Sequence, residues 1–156
     1  MITFKQYLSQ SRAPLYHATF LRHANKILED NTLYGSVQEN GSVAGQRGVF
    51  VTRSLKHAEH LYGTKGKAIF VLDQQKLAHK YKIIPIKNHQ DYQSAGTIHK
   101  PMYMGTGIGG NEFEEFIPTN RIDDIDQYIL SVIVLEPLDI NTSYKTLRDY
   151  EKIIYK

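Results

Sequence analysis

The sequence predicts an α+β fold, and two features of the 156-residue chain carry that prediction. The first is the order of the elements: helices and strands alternate irregularly in the first half, and the second half consists mostly of strands. The second is the apolar run Ala68–Leu72, whose length and β-branched content are typical of a strand buried on both faces. Together they favour α+β over the regular alternation of a parallel βαβ sheet.

The first element lies within residues 1–12, where apolar side chains recur at helical spacing until Pro14 interrupts the pattern. We expect a short amphipathic helix there. Residues 13–156 are then expected to form a single domain, because a chain of this length has enough residues for one core.

A short strand over Leu15–His17 is predicted next. Thr19 follows it and can serve as a helix N-cap, because its hydroxyl can accept a hydrogen bond from a free backbone N–H. The helical spacing of apolar residues continues to Leu28, and Asn31 is predicted to end the helix.

Two strands and another helix are predicted after the polar segment Leu33–Val43. Gly48–Thr52 has the β-branched and aromatic content of a strand. Ser54 can cap a helix that ends at Gly63, and the buried strand Ala68–Leu72 comes after it.

The second half predicts three strands, over Lys82–Ile86, Glu112–Ile117 and Tyr128–Glu136, and a closing amphipathic helix over residues 142–156. Lys87–Asn111 is rich in glycine and has no periodic pattern. A stretch of this length inside a small domain is usually functional.

Composition excludes several classes of protein. The chain has no cysteine, which rules out disulfide scaffolds, thiolate metal sites and a cysteine nucleophile, and which suits a reducing, cytoplasmic location. Its 19 basic and 16 acidic residues give a net charge of +3, which permits binding to a polyanion without arguing for it. The sequence shows neither a secretion signal nor an apolar run long enough to span a membrane.

Two segments place polar side chains where strands end. His17 closes the first strand beside the small residue Ala18, so its ring can point into a cleft that a ligand approaches closely. Thr52, Arg53 and Ser54 follow the second strand and precede a helix N-terminus, where backbone donors, hydroxyls and a guanidinium can receive polar ligand groups. A backbone-bonded structural histidine and an ordinary helix cap are the alternative interpretations.

A cluster of three carboxylates opens a later strand at Glu112, Glu114 and Glu115. Side chains alternate along a strand, so Glu112 and Glu114 share one face and Glu115 lies on the other. Such crowding is locally unfavourable, and violations of local consistency mark functional sites. Clustered carboxylates can stabilise a developing cation or act as general bases. A solvated edge strand with acidic residues is the alternative.

In this order the three motifs resemble the ADP-ribosyltransferase superfamily. Tyr16-His17-Ala18-Thr19 is similar to the first motif of the diphtheria-toxin and poly(ADP-ribose) polymerase branch, which has His-Gly. Thr52-Arg53-Ser54 resembles the Ser-Thr-Ser motif of the arginine-specific branch, and Glu112-Phe113-Glu114 resembles its Glu-x-Glu. The chain therefore mixes two branches, and the modified residue cannot be assigned by analogy.

The resemblance implies two packed, mostly antiparallel sheets forming an NAD cleft, with short flanking helices. NAD would be the substrate, and no metal is implied. His17 would bind the adenosine-side ribose and the Ala18 backbone would hold the nicotinamide amide, with Thr19 and Ser54 nearby. Phe50 or Tyr62 would stack on the nicotinamide ring.

The same resemblance implies the catalytic groups. A glutamate would stabilise the oxocarbenium-like ribose, and either Glu114 or Glu115 fits, with Glu114 favoured because it shares a face with Glu112. Thr52 would support that glutamate, and Glu112 would position or deprotonate the incoming nucleophile.

The function expected from this resemblance is mono-ADP-ribosylation of a macromolecule, protein or nucleic acid, of a host cell. Small phage-encoded transferases that act in the host cytoplasm are similar in size. Three alternatives stay open: an activity like that of tRNA 2′-phosphotransferases, simple NAD hydrolysis, and an inactive NAD-binding or virion-associated module of the same fold.

Overall fold

The computed structural model describes residues 14–37, 46–61, 66–85, 114–135 and 144–156. The predicted N-terminal helix over residues 1–12 and the glycine-rich segment Lys87–Asn111 lie outside these ranges, as do Tyr62 and Glu112. No helix in the described ranges is long and apolar enough to cross a membrane.

Strands dominate the fold. In chain order they are β1 (Leu15–Phe20), β2 (Thr32–Tyr34), β3 (Ser36–Val37), β4 (Arg47–Thr52), β5 (Lys67–Leu72), β6 (Ile84–Pro85), β7 (Glu114–Pro118), β8 (Arg121–Asp123), β9 (Ile129–Leu135) and β10 (Ile153–Tyr155). The α-helices are α1 (Leu21–Asp30), α2 (Leu55–His60), α3 (Gln74–Lys80) and α4 (Lys145–Arg148), and Ile125–Tyr128 forms one turn of 3₁₀ helix. A mixed fold with a central sheet and few helices agrees with the predicted class.

The central sheet has eight strands in the order β10-β9-β5-β1-β4-β7-β6, with β3 paired to β4. Its pairs are antiparallel except β10 with β9, and β2 and β8 form a separate two-stranded sheet. This differs from the expected two packed sheets. The difference arises because β1 pairs with β5 on one side and with β4 on the other, which joins the two halves.

The two halves meet at a narrow seam between β1 and β4. Six register pairs join β1 to β5, whereas β1 meets β4 at one, Tyr16 with Thr52. On the far side of β4, Thr52 is opposite Glu114 and Val51 is opposite Glu115. Strands β1, β4 and β7 therefore bring the three predicted motifs side by side.

Hydrophobic clusters cover both faces of the sheet. Leu15, Val49, Val51 and Ile117 belong to the larger cluster, which also contains the buried side of α1. Ala18 belongs to the smaller cluster on the opposite face, together with Ala58 of α2 and Ile69 of β5. Alternation along β1 therefore places His17 on the face of the larger cluster.

The prediction that Thr19 caps the first helix is wrong. Thr19 lies inside β1, and α1 begins after Phe20, which makes no side-chain capping bond. Pairing with β5 continues as far as Phe20, opposite Lys67, so the sheet holds extended the residues that the local pattern assigned to a cap. The predicted end of the helix is confirmed, because Asn31 adopts a left-handed conformation with φ of 50°.

The predicted helix over residues 142–156 is wrong in its second half. Only Lys145–Arg148 is α-helical, and Ile153–Tyr155 adds a strand parallel to β9. Pairing with a neighbour distant in sequence overrides the local helical spacing there. The sequence analysis also missed α3, whose N-cap Asp73 accepts a hydrogen bond from the Lys76 amide.

A substitution at Gly48 can test how closely β4 packs against the Phe116 side chain of β7. A Cβ at this position would lie 2.2 Å from the buried Phe116 ring, whereas one at Gly66 would meet nothing within 4 Å. We expect Gly48→Ala to lower the free energy of unfolding by about 3 kcal/mol through overpacking. Gly66→Ala, the control, should cost about 1–2 kcal/mol through its positive φ. Urea denaturation measures both, and equal losses would contradict the packing argument.

Candidate active site

The imidazole of His17 bridges the seam between β1 and β4. Its Nδ1 lies 2.9 Å from the backbone carbonyl oxygen of Phe50. Burial lowers the pKa of His17, and the bond to Phe50 offsets this only in part, so the neutral ring is favoured at pH 7. Because a carbonyl can only accept, we assign the proton to Nδ1, which leaves Nε2 as a hydrogen-bond acceptor.

A cavity of about 400 Å³ opens beside His17, between β1, α1 and β2. Its lining includes His17, Ala18 and Thr19 of β1, His23, Lys26 and Ile27 of α1, and Leu33 and Tyr34 of β2. Apolar and aromatic surface can receive a planar ring, and cationic or donor groups can receive negative charge. The cavity therefore suits an extended ligand with both kinds of group.

Glu115 forms a buried ion pair with Arg53. Glu115 is only 6% exposed, and Arg53 Nε donates to its Oε1 over 2.9 Å. The other carboxylate oxygen, Oε2, is buried and has no hydrogen-bond partner within the described ranges. A buried acceptor without a partner is costly, so its presence points to a functional role.

Glu115 lies on the same face of the sheet as His17. It is directly opposite Val51, which belongs to the larger hydrophobic cluster together with Leu15. His17 follows Leu15 by two residues and so shares its face. Glu115 and the cavity-lining His17 therefore lie on one side of the sheet.

The hydroxyl residues at the end of β4 build the start of α2. The Ser54 amide donates to Thr52 Oγ1 and the His57 amide donates to Ser54 Oγ, both over 3.1 Å. The predicted capping role of Ser54 is thus confirmed. Phe50 packs its ring on Phe116 at a centroid distance of 5.2 Å. Neither these hydroxyls nor the Phe50 ring lines the cavity beside His17.

The structure brings together part of the predicted site. His17, Ala18 and Thr19 line one cavity, and Glu115 lies on the same side of the sheet as His17. The backbone of Glu114 pairs opposite Thr52. Glu112 and Tyr62 lie outside the described ranges.

The sequence analysis missed three residues of this region. His23 and Lys26 reach the cavity from α1, and Gln74 accepts a hydrogen bond from Arg53. The three-residue spacing of His23 and Lys26 on a helix could have indicated a shared face. No local signal marks Gln74, because its partner comes from a different strand.

Comparison with solved structures finds a chain that shares this fold. The chain resembles DarT of Thermus sp. 2.9, solved in complex with NAD+. The TM-score is 0.53 and the sequence identity 12%, over 93% of this chain and 96% of the DarT chain. At this identity the likeness shows the fold. No family model matches the chain, and no curated protein matches it in sequence.

The lowered pKa of His17 predicts a loss of stability in acid. The fold disfavours protonated His17, so the unfolded chain takes up this proton at a higher pH than the folded chain does. The stabilising contribution of neutral His17 is complete above the ordinary histidine pKa of 6.5 and is lost as the pH falls through the folded pKa. Urea denaturation at about pH 7.5 and about pH 5 should show a larger loss for the wild type than for His17→Gln, which cannot titrate. Equal losses would contradict a neutral His17.

Proposed function

We propose that the protein is a mono-ADP-ribosyltransferase that cleaves NAD and transfers ADP-ribose to a macromolecule. The observation that carries this proposal is Glu115, a buried carboxylate that Arg53 holds through one oxygen, while the other oxygen has no hydrogen-bond partner among the described residues. The fold likeness to the NAD+ complex of DarT and the order of the three motifs support NAD as the substrate.

NAD fits the chemistry of the cavity beside His17. The Nε2 lone pair of neutral His17 would accept a hydrogen bond from a ribose hydroxyl, and the Ala18 backbone would hold the nicotinamide amide. Ile27 and Leu33 offer apolar surface to the adenine ring. Lys26, a cationic side chain in the cavity lining, would attract the diphosphate.

The reaction breaks the bond between the nicotinamide nitrogen and the ribose carbon, and the bonding electrons leave with nicotinamide. Positive charge then develops on the ribose. The carboxylate of Glu115 would stabilise that charge, and Arg53 would fix its orientation. The acceptor atom of the macromolecule bonds to the ribose carbon and releases a proton, a step in which Glu112 is proposed to assist.

Glu115 is proposed as the catalytic glutamate in preference to Glu114. Its burial, its ion pair with Arg53 and its place on the His17 face support this choice. Glu114 pairs by its backbone opposite Thr52, one position away along β7. Thr19, Thr52, Ser54 and either Phe50 or Tyr62 remain proposed parts of the NAD site.

Matched variants test this assignment. We expect Glu115→Gln to lower nicotinamide release from NAD by about 100-fold or more, because an amide cannot stabilise the developing cation. Glu114→Gln, the neighbouring control, should retain a much larger fraction of the activity. A chromatographic assay of released nicotinamide measures both. If Glu114→Gln alone is inactive, the roles are reversed, and if the double variant equals the wild type, the transferase proposal fails.

The acceptor can be found with NAD labelled in its adenosine part. The labelled substrate and a host-cell lysate should give label on a protein or nucleic acid band, and His17→Ala should lower the yield at limiting NAD by weakening ribose binding. Separate digestion with protease and with nuclease then identifies the class of acceptor. Free ADP-ribose without a labelled macromolecule would instead identify a hydrolase.

A further inference from the structure

The guanidinium of Arg53 donates hydrogen bonds to two side chains, one on β7 and one on α3. Its Nε donates to Glu115 Oε1 over 2.9 Å, and its Nη1 donates to Gln74 Oε1 over 2.8 Å. A guanidinium is planar, so fixing one nitrogen constrains the direction of the others. The Arg53 side chain is 30% exposed, so core packing alone does not immobilise it.

Gln74 is the first residue of α3, and contacts outside β4 and β7 hold this end of the helix in place. The preceding residue, Asp73, caps α3 through its bond from the Lys76 amide. The Asp73 amide donates to the backbone carbonyl of Tyr128 over 2.7 Å, and Leu77 is fully buried. The Gln74 amide group therefore extends from a fixed point toward Arg53.

From this chain of contacts we infer that Gln74 is a positioning residue that holds Arg53 against Glu115 Oε1 and so fixes the direction of Oε2, the oxygen proposed to act on the ribose. The inference rests on the proposed role of Glu115. Gln74 does not line the cavity beside His17, so its effect is on the placement of the carboxylate and not on the binding of NAD.

The first test is Gln74→Leu, which keeps the size of the side chain and removes the acceptor. We expect kcat for nicotinamide release to fall about 10- to 100-fold, because a small misplacement of a reacting group has effects of this size. KM for NAD should stay unchanged. Gln74→Asn, whose amide is one methylene short of Arg53, should lower kcat in the same way and serves if the leucine variant does not fold.

Two further variants separate positioning from a general loss of structure. Gln74→Glu retains an oxygen acceptor at the same position and should restore most of kcat. Gln75→Leu places the same substitution on the neighbouring exposed position of α3 and should behave as the wild type. Thermal melting of each variant checks that the fold is intact.

The outcomes distinguish this inference from the proposed function. A fall in kcat for Gln74→Leu, with rescue by Gln74→Glu, supports the inference. If Gln74→Leu equals the wild type while Glu115→Gln is inactive, the inference is overturned and the proposed function stands. If Glu115→Gln equals the wild type, the proposed role of Glu115 fails and the inference fails with it.

Discussion

The narrow contact between β1 and β4 is the constraint on which the rest of the structure depends. One register pair, Tyr16 with Thr52, joins two well-paired halves of the sheet. Next to this pair, the imidazole of His17 on β1 forms a side-chain hydrogen bond to the backbone carbonyl of Phe50 on β4. A sheet that is closed by a single pair and a side chain can leave room for a ligand beside it without losing its core. His17, Thr52 and Glu115, one from each motif, lie on the strands that meet at this seam or pair next to it.

Elements could be predicted from the sequence where the spacing of their apolar residues agrees with the positions that are buried in the fold. Helix α1 has a one-sided apolar face, and β5 is buried at every position, so each carries a strong local signal. The C-terminal segment could not be predicted in this way. Ile154 continues the helical spacing of Leu147 and Tyr150. Ile153 and Ile154 also have high strand propensity, and their partners on β9 decide between helix and strand. Thr19 is another such case. It can cap a helix, but its pairing with Ala68 on β5 keeps it in the strand.

The candidate site was predictable in its residue types and not in its contacts. His17 and the glutamate cluster stood out because polar groups interrupt apolar strands. The choice between Glu114 and Glu115 depends on register with β4, which no local pattern contains. The same is true of Arg53 and Glu115, which lie 62 positions apart in the chain and meet only after β4 and β7 pair. The sequence therefore predicts the kind of chemistry, and strand register decides which of the predicted groups lie next to one another.

The energetics of Glu115 connect the fold with the proposed function. Its neighbours Val51 and Ile117 are apolar and buried, so the surroundings of this position on the sheet are those of an apolar side chain. The carboxylate instead leaves Oε2 buried and without a partner in the described part of the chain, a cost of about 1–3 kcal/mol or more for a charged group. Arg53 offsets part of that cost through its ion pair with Oε1. Charge interactions strengthen where water is excluded, so the oxygen that destabilises the fold is also the one that, in the proposed function, would stabilise a developing cation most strongly.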